Sequence, residues 1–187
     1  ITNGGGGSAG AISLAADTDI VLTGGAGSIT GGSGNVTLKD SAGGVAIGVA
    51  GGAGAISIAD ADIDEITTSG KIIIGDASSG AVTIGGATQP SGSEALQFGG
   101  SSVALNANVT TANAGITFVP AVTAGAGVTV DSGSGAGDIT FSSTLDGNQA
   151  VVLDAGSGAI ALNGVVGATP LASLVTTGTT GGISIGQ

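Results

Sequence analysis

Carboxylates are the main candidates for chemistry in this 187-residue chain, because the sequence contains no histidine and no cysteine. Asp60, Asp62 and Asp64 alternate, and Glu65 follows them directly. Carboxylate oxygens are the ligands that Ca²⁺ prefers. The alternative is that an alternating acidic row forms a solvated outer face or a corner of the fold. The pattern makes Asp60, Asp62, Asp64 and Glu65 candidate calcium ligands without committing the chain to a metal site.

Glycine-rich segments are the second place where a ligand site could lie. The calcium-binding nonapeptide repeat needs Gly-Gly-x-Gly-x-Asp, and neither residues 31–36 nor residues 51–56 supply the aspartate. Gly133, Gly135 and Gly137 are not followed by the Lys-Ser/Thr pair of a phosphate-binding loop. These glycines therefore predict plain turns.

Catalysis is not favoured by the residue types present. Nucleophilic triads require a histidine, which the chain lacks. Paired carboxylates could hydrolyse glycosides, but the phenylalanines Phe98, Phe118 and Phe141 occupy strand positions typical of a core. Lys39 and Lys71 are interpreted as solubilising or edge-guarding residues. The sequence predicts a protein that is not an enzyme and needs no cofactor.

Charge and composition limit the classes of binding partner that the chain could have. A formal net charge of -11, with only two cationic side chains, argues against binding to nucleic acid or to anionic lipid surfaces. No apolar run approaches the ~20 residues of a membrane span. Residues 1–4 have neither a basic start nor a hydrophobic stretch, so we expect the chain to begin in mid-repeat, as a fragment of a longer protein.

A short repeated unit organises the whole sequence. In residues 158–164, Ile160 and Leu162 lie two positions apart between glycines, so on a strand both point to one face. Related units occupy residues 10–14, 54–58, 80–84 and 182–185, and residues 76–86 align with residues 154–164. Propeller blades need about 40 residues and marker residues that are absent here. The sequence predicts an all-β fold, a parallel β-helix (β-solenoid) of about nine coils of ~20 residues, forming a single segment over residues 1–187.

The strands are predicted from short local patterns, and no helix is predicted. Inward positions are expected to form one continuous core, and outward positions, such as Thr83 and Thr140, are small and polar. The predicted core includes Ile12, Leu14, Ile56, Ile58, Val82, Ile84, Ile160 and Leu162. The predicted strands centre on residues 12–14, 20–22, 36–38, 45–47, 56–58, 72–74, 82–84, 96–98, 103–105, 116–118, 128–130, 139–141, 151–153, 160–162 and 183–185.

The C-terminal third of the chain resembles a known group. Residues 137–141, 145–147, 150–156, 164–167 and 170–174 are similar to the repeats of filamentous-haemagglutinin-type bacterial surface adhesins. The resemblance implies a right-handed β-helix on an extracellular bacterial cell-surface fibre, exported by a two-partner route. The amino-terminal secretion domain of that family, with its Asn-Pro-Asn signatures, has no counterpart here.

Three functions remain open at this point. The first is a structural and adhesive segment of a secreted fibre, and the second is a self-assembling subunit of an extracellular filament or sheath. The third is a surface-recognition module that binds ice or glycans. Expected partners are copies of the chain or flanking repeats end to end, and a host or neighbouring-cell surface. Because ordinary repeat strands lie near both ends, we expect both ends to continue into similar material, covalently or by stacking.

Overall fold

The alternation of branched apolar and small residues produces short strands that stack in parallel. The structure, a computed structural model, describes residues 10–186. It is an all-β solenoid of about eight stacked coils, which confirms the predicted fold class. The first part of the chain contains β1 (Ile12–Ala16), β2 (Ile29–Gly32), β3 (Val36–Asp40), β4 (Ile47–Val49), β5 (Ile56–Ile58), α1 (Asp60–Asp64), β6 (Ile66–Thr68), β7 (Lys71–Ile74) and β8 (Val82–Ile84). The remainder contains β9 (Ala95–Phe98), β10 (Val103–Leu105), β11 (Val109–Thr110), β12 (Ile116–Phe118), β13 (Val122–Ala124), β14 (Val128–Asp131), β15 (Ile139–Phe141), β16 (Leu145–Gly147), β17 (Ala150–Asp154), β18 (Ile160–Leu162), β19 (Ser173–Thr177) and β20 (Ile183–Ile185).

The strands form three lengthwise faces. Sheet 1 has eight strands in the order β1-β3-β7-β9-β12-β15-β18-β20. Sheet 2 has six, in the order β16-β13-β10-β8-β4-β5, and sheet 3 has four, in the order β11-β14-β17-β19. Strands β2 and β6 pair separately. Because each coil pairs with the next in parallel, side chains at equivalent positions form ladders along the solenoid.

The inward ladders of all three sheets form the core, and those of sheet 1 include the aromatic residues. Phe98, Phe118 and Phe141 are register partners on β9, β12 and β15, and all three are buried. Their ring centroids are 5.2 and 4.7 Å apart and the rings are stacked. The prediction that the phenylalanines belong to the core is confirmed.

The predicted core is confirmed except at its first two residues. Six of the eight predicted residues are fully buried, namely Ile56, Ile58, Val82, Ile84, Ile160 and Leu162. Ile12 and Leu14 are only half-buried against the core, because among the described residues β1 pairs with β3 alone.

Coil length is not uniform, which changes the predicted number of coils. Register partners on successive strands of sheet 1 are mostly 20 to 24 residues apart, but Val36 and Ile72 are separated by 36. The expectation of about nine coils assumed a constant ~20 residues per coil. The long coil, together with ordinary coils that mostly exceed 20 residues, accounts for the smaller number.

The long coil contains a crossover that glycine makes possible. Strands β4 and β5 are adjacent and parallel although only six residues connect them, whereas parallel strands usually need a dozen or more. A Cβ on Gly48 would lie 2.0 Å from the Gly52 carbonyl oxygen, and one on Gly52 would lie 1.9 Å from the Thr83 carbonyl oxygen. The connection therefore lies directly against the backbone of sheet 2, at a distance that only glycine permits.

Several predicted elements differ from those observed. The strand predicted at residues 45–47 is β4 at Ile47–Val49, and residues 20–22 contribute only a bridge from Ile20 to Ile58. The sequence did not predict β2, β6, β11, β13, β16 or β19, which carry few large apolar residues, and it did not predict α1.

Candidate functional site

The candidate calcium ligands lie on and next to helix α1, which fills a corner of the long coil. Asp60, Asp62 and Asp64 occupy one helical turn, which the sequence did not predict, and Glu65 follows it. Asp62 and Glu65 are 5% and 8% exposed, so neither belongs to a solvated outer face.

The two buried acids bind backbone of the preceding coil. Asp62 Oδ1 accepts a hydrogen bond of 2.7 Å from the Leu22 N–H, and its Oδ2 accepts one of 2.7 Å from the Ala59 N–H at the start of the helix. Glu65 Oε2 accepts hydrogen bonds from the Gly24 N–H (2.8 Å) and the Ser28 hydroxyl (2.6 Å). These carboxylates therefore satisfy donors of a segment that has little regular structure of its own.

The pKa of Glu65 follows from the same contacts. The hydrogen bond from Ser28 is the main cause that lowers the pKa of Glu65; burial opposes it, and the N–H groups of Gly24 and Gly25 reinforce it. The carboxylate is thus held in its charged form by donors of the protein.

The other two acids of the cluster face elsewhere. Asp60 Oδ1 accepts a hydrogen bond of 2.8 Å from the Gln89 N–H of the following coil. Burial raises the pKa of Asp60, the Gln89 N–H opposes that rise, and the charge of Asp64 adds to it. Asp64 Oδ1 is buried and has no hydrogen-bond partner within the described chain.

These contacts bear directly on metal binding. The carboxylates of Asp62 and Glu65 accept hydrogen bonds from backbone N–H groups of residues 22–24, and that of Asp60 accepts one from the distant Gln89. Within residues 10–186 no three acidic side chains converge in a way that could hold a metal ion. The acidic cluster is described best as a set of structural hydrogen-bond acceptors.

The same use of acidic side chains extends along the solenoid. Asp138 Oδ1 accepts from the Ala159 N–H (2.8 Å) and Asp146 Oδ1 from the Thr169 N–H (3.1 Å), each one coil further on. Every acidic side chain in the described chain except Asp64 and Glu94 accepts a hydrogen bond, those of Asp17, Asp19, Asp40, Asp60, Asp62, Glu65, Asp76, Asp131, Asp138, Asp146 and Asp154. Much of the negative charge of the molecule is therefore structural.

A groove on the outer face of sheet 1 is a candidate ligand site. It has a volume of about 530 Å³, crosses the four neighbouring strands β1, β3, β7 and β9, and extends to Val119 and Pro120, which follow β12. Ser13, Thr37, Ile73 and Gln97 are successive register partners along its floor. We call this site the sheet 1 groove.

Both cationic side chains of the protein lie on this face. Lys39 Nζ is 2.6 Å from Asp76 Oδ2, and Lys71 Nζ donates to Gln97 Oε1 at 3.1 Å. The hydrogen bond from Lys39 lowers the pKa of Asp76 well below its ordinary value, with help from Ser78, and the same bond raises the pKa of Lys39. The prediction that the lysines guard sheet edges is wrong, because β3 and β7 are interior strands.

The sequence did not identify the groove, although the two lysines near it could have pointed to this face. Ser13, Thr37 and Gln97 are separated by more than twenty residues each and share a ladder only through the coil register. The lysines were the available signal, since two isolated cations in so acidic a chain occupy special positions.

The outward ladder of sheet 1 also bears on ice binding. From β1 to β20 it reads Ser13, Thr37, Ile73, Gln97, Thr117, Thr140, Ala161 and Ser184. Threonines are neighbours at only one step of this ladder, between Thr117 and Thr140. A regular rank of threonines, which would favour an ice-binding face, is absent from these eight positions.

Comparisons with known proteins give no family for this chain. In residues 10–186 there is no helix both long enough and apolar enough to cross a membrane. No protein-family model, no curated protein and no solved structure matches the chain.

Proposed function

We propose that the chain is a non-enzymatic structural and adhesive β-solenoid segment of a secreted bacterial surface fibre. The extracellular location rests on the resemblance of residues 137–174 to adhesin repeats. The role as one segment of a longer rod rests on the last coil of the structure.

The observation that carries the proposal is an apolar ladder left open at β20. Ile160 and Leu162 are buried on β18, and their register partners Ile183 and Ile185 on β20 are 46% and 64% exposed. Among the described residues β20 pairs only with β18. Exposed apolar ladder positions beside an unpaired strand edge favour the addition of another coil.

The second candidate function, self-assembly into a filament, is favoured by the match between the two ends. Strand β1 begins Ile12-Ser13-Leu14 and β20 reads Ile183-Ser184-Ile185. If β1 of one copy paired with β20 of another, Ile12 would continue the ladder of Ile183, and Ser13 would continue that of Ser184. Such a contact is head-to-tail and would generate rods rather than closed oligomers.

Negative-stain microscopy and sedimentation of the isolated chain test both candidates. We expect rods or end-to-end fibres whose length increases with protein concentration. Ile185→Lys should shorten these assemblies, because it places a charge on the exposed inward ladder. Ser184→Lys is the matched control, since the side chain of Ser184 lies on the outer ladder beside Ala161.

A compact monomer at high concentration would contradict end-to-end assembly. Assembly that Ile185→Lys leaves unchanged would place the contact on another surface and would contradict pairing of β1 with β20. The monomer would leave a self-contained binding domain as the better description.

A further inference from the structure

The sheet 1 groove combines free polar groups with apolar surface in the way that ligand sites do. Its volume of about 530 Å³ lies within the ~300–1,000 Å³ of typical small-molecule sites. Ile73 and Pro120 are partly exposed in it, and Val119 is 44% exposed. These apolar side chains lie beside the hydroxyls and the amide of the floor.

The polar groups of the floor are available to a ligand. In the described structure the hydroxyls of Ser13 and Thr37 make no hydrogen bond to the protein, and the side-chain amide of Gln97 uses only its oxygen, which accepts from Lys71. The groove therefore offers hydroxyls that both donate and accept, together with a free amide N–H₂.

The charge of the groove differs from that of the rest of the molecule. Lys39 is paired with Asp76 at the groove, and Lys71 lies beside it on the same face. The formal net charge of the whole chain is -11. The groove is thus a nearly neutral site on a strongly acidic molecule, which disfavours an anionic ligand and tolerates an uncharged one.

Apart from the outer edge of β1, the described backbone around the groove offers no free strand edge to an added peptide strand. Strands β1, β3, β7, β9 and β12 are hydrogen-bonded to one another in sheet 1, and the groove lies on the face of that sheet. An extended peptide is usually bound at a sheet edge, through main-chain hydrogen bonds. The ligand must therefore be recognised through side chains.

We propose that the sheet 1 groove binds a linear, uncharged oligosaccharide that lies along the solenoid axis. Sugar hydroxyls match the free hydroxyls of Ser13 and Thr37 and the amide of Gln97, and the C–H faces of the sugars pack against Ile73 and Val119. The rungs of the floor repeat at about 4.8 Å, the spacing of neighbouring strands. An extended β-1,4-linked chain rises by a similar distance per sugar, so successive sugars meet successive rungs.

This inference supplies a ligand for the adhesive part of the proposed function. It does not depend on end-to-end assembly, because all groove residues belong to one chain and lie on the outer face of sheet 1, although Ser13 lies on β1, the strand proposed to contact β20 of another copy. Sedimentation therefore tests the fibre, and sugar binding tests the groove.

Fluorescence anisotropy of labelled hexasaccharides tests the groove in either monomers or rods. The probes are β-1,4-linked glucose and β-1,4-linked N-acetylglucosamine hexamers, with a galacturonate hexamer as the anionic comparison. We expect saturable binding of at least one neutral probe and weaker binding of the anionic one. Gln97→Ala should weaken neutral binding about five- to ten-fold, the equivalent of losing one hydrogen bond.

Thr140→Ala is the matched control, because Thr140 lies on the same outward ladder but beyond the groove. It should leave binding unchanged, and Ile73→Ser should weaken it while circular dichroism confirms the fold. Three results would overturn the proposal: no neutral probe binds at millimolar concentration, the anionic probe alone binds, or Gln97→Ala and Thr140→Ala bind equally well.

Discussion

The N-terminal coils (residues 12–94) and the C-terminal coils (residues 95–186) share the same inward ladders but are joined differently. In the C-terminal coils, side-chain oxygens accept an N–H one coil further on, as Asn108 does from Thr129 and Asp138 from Ala159, at separations of 21 residues. In the N-terminal coils, Asp62 and Glu65 reach back by 40 and 41 residues to Leu22 and Gly24. In the regular coils a side-chain acceptor bonds directly to the next coil, whereas in the long coil helix α1 positions the side-chain acceptors.

The comparison also explains where unusual features accumulate. The crossover between β4 and β5, helix α1, both lysines and the long coil all lie in the N-terminal coils, and so does most of the floor of the sheet 1 groove. The C-terminal coils contain the stacked rings of Phe98, Phe118 and Phe141. The regular C-terminal coils form a uniform stack, whereas the irregular N-terminal coils provide most of the sheet 1 groove.

The largest expected effect comes from breaking a ladder in the C-terminal coils. Ile160→Asp should cost more than about 4 kcal/mol of unfolding free energy, because it buries an unpaired charge among packed side chains. Urea unfolding measures the loss. Ile183→Asp, at the next rung of the same ladder, should cost much less because Ile183 is 46% exposed. Equal losses would show that β20 is buried in solution.

The second effect tests the crossover of the N-terminal coils. Gly52→Ala should cost about 3 kcal/mol, near the upper end of overpacking changes, since the new Cβ would meet the Thr83 carbonyl at 1.9 Å. Gly127→Ala, in a C-terminal corner where the nearest atom lies at 3.9 Å, should be nearly neutral. Thermal melts of both variants decide the matter. If Gly52→Ala proves neutral, the connection does not lie against sheet 2.

The sequence predicted the ladders because their information is local. A period of two with glycine on both sides specifies which residues of β8 or β18 point inward, whatever lies on the neighbouring coil. Strands with less apolar content, such as β13 with Val122 and Ala124, form because the coils on both sides present partners. Pairing of that kind is not visible within a short window.

Helix α1 and the sheet 1 groove could not be predicted for a related reason. A helix of five residues is too short to be stable alone, and its acids Asp62 and Asp60 are held by donors 40 and 29 residues away. The groove depends on a register that brings Thr37 beside Ile73 across the long coil. The number of residues in each coil cannot be read from the local pattern. In the structure, the separation of acceptors such as Asn108 and Asp138 from their donors equals the length of one regular coil.

The third prediction compares the two kinds of acceptor. Asp62→Ala should cost about 2 kcal/mol, because it leaves the Leu22 and Ala59 N–H groups without their buried acceptor. Asp138→Ala should cost only about 0.5–1 kcal/mol, because Asp138 is exposed and water can replace it. Hydrogen exchange of the Leu22 amide should accelerate in Asp62→Ala alone. Equal losses in the two variants would remove the distinction between the long coil and the regular ones.

The smallest effect is a dependence on pH that originates in the N-terminal coils. The pKa of Asp76 is lowered mainly by Lys39. Burial alone would raise the pKa of Asp40, but hydrogen bonds from Ser79 and the Val45 N–H bring it below its ordinary value, and the pKa of Glu65 is also lowered. A carboxyl group whose pKa is lower in the folded state stabilises the fold above its unfolded pKa, and this contribution is lost as the pH falls through the folded value.

The direction of the change with pH follows from these groups together. Asp60, whose pKa is raised by burial, acts in the opposite sense and offsets part of the loss. We therefore expect unfolding free energy to decline below about pH 4, where model carboxyl groups titrate. Hydrogen exchange at pH 3 should accelerate first around Asp40 and Asp76 and later in the Phe118 region. Asp76→Asn should flatten the decline and Thr140→Ala should not, because only the former removes a carboxylate whose folded pKa is lowered; a decline that is the same in both variants would place the acid-sensitive contacts elsewhere.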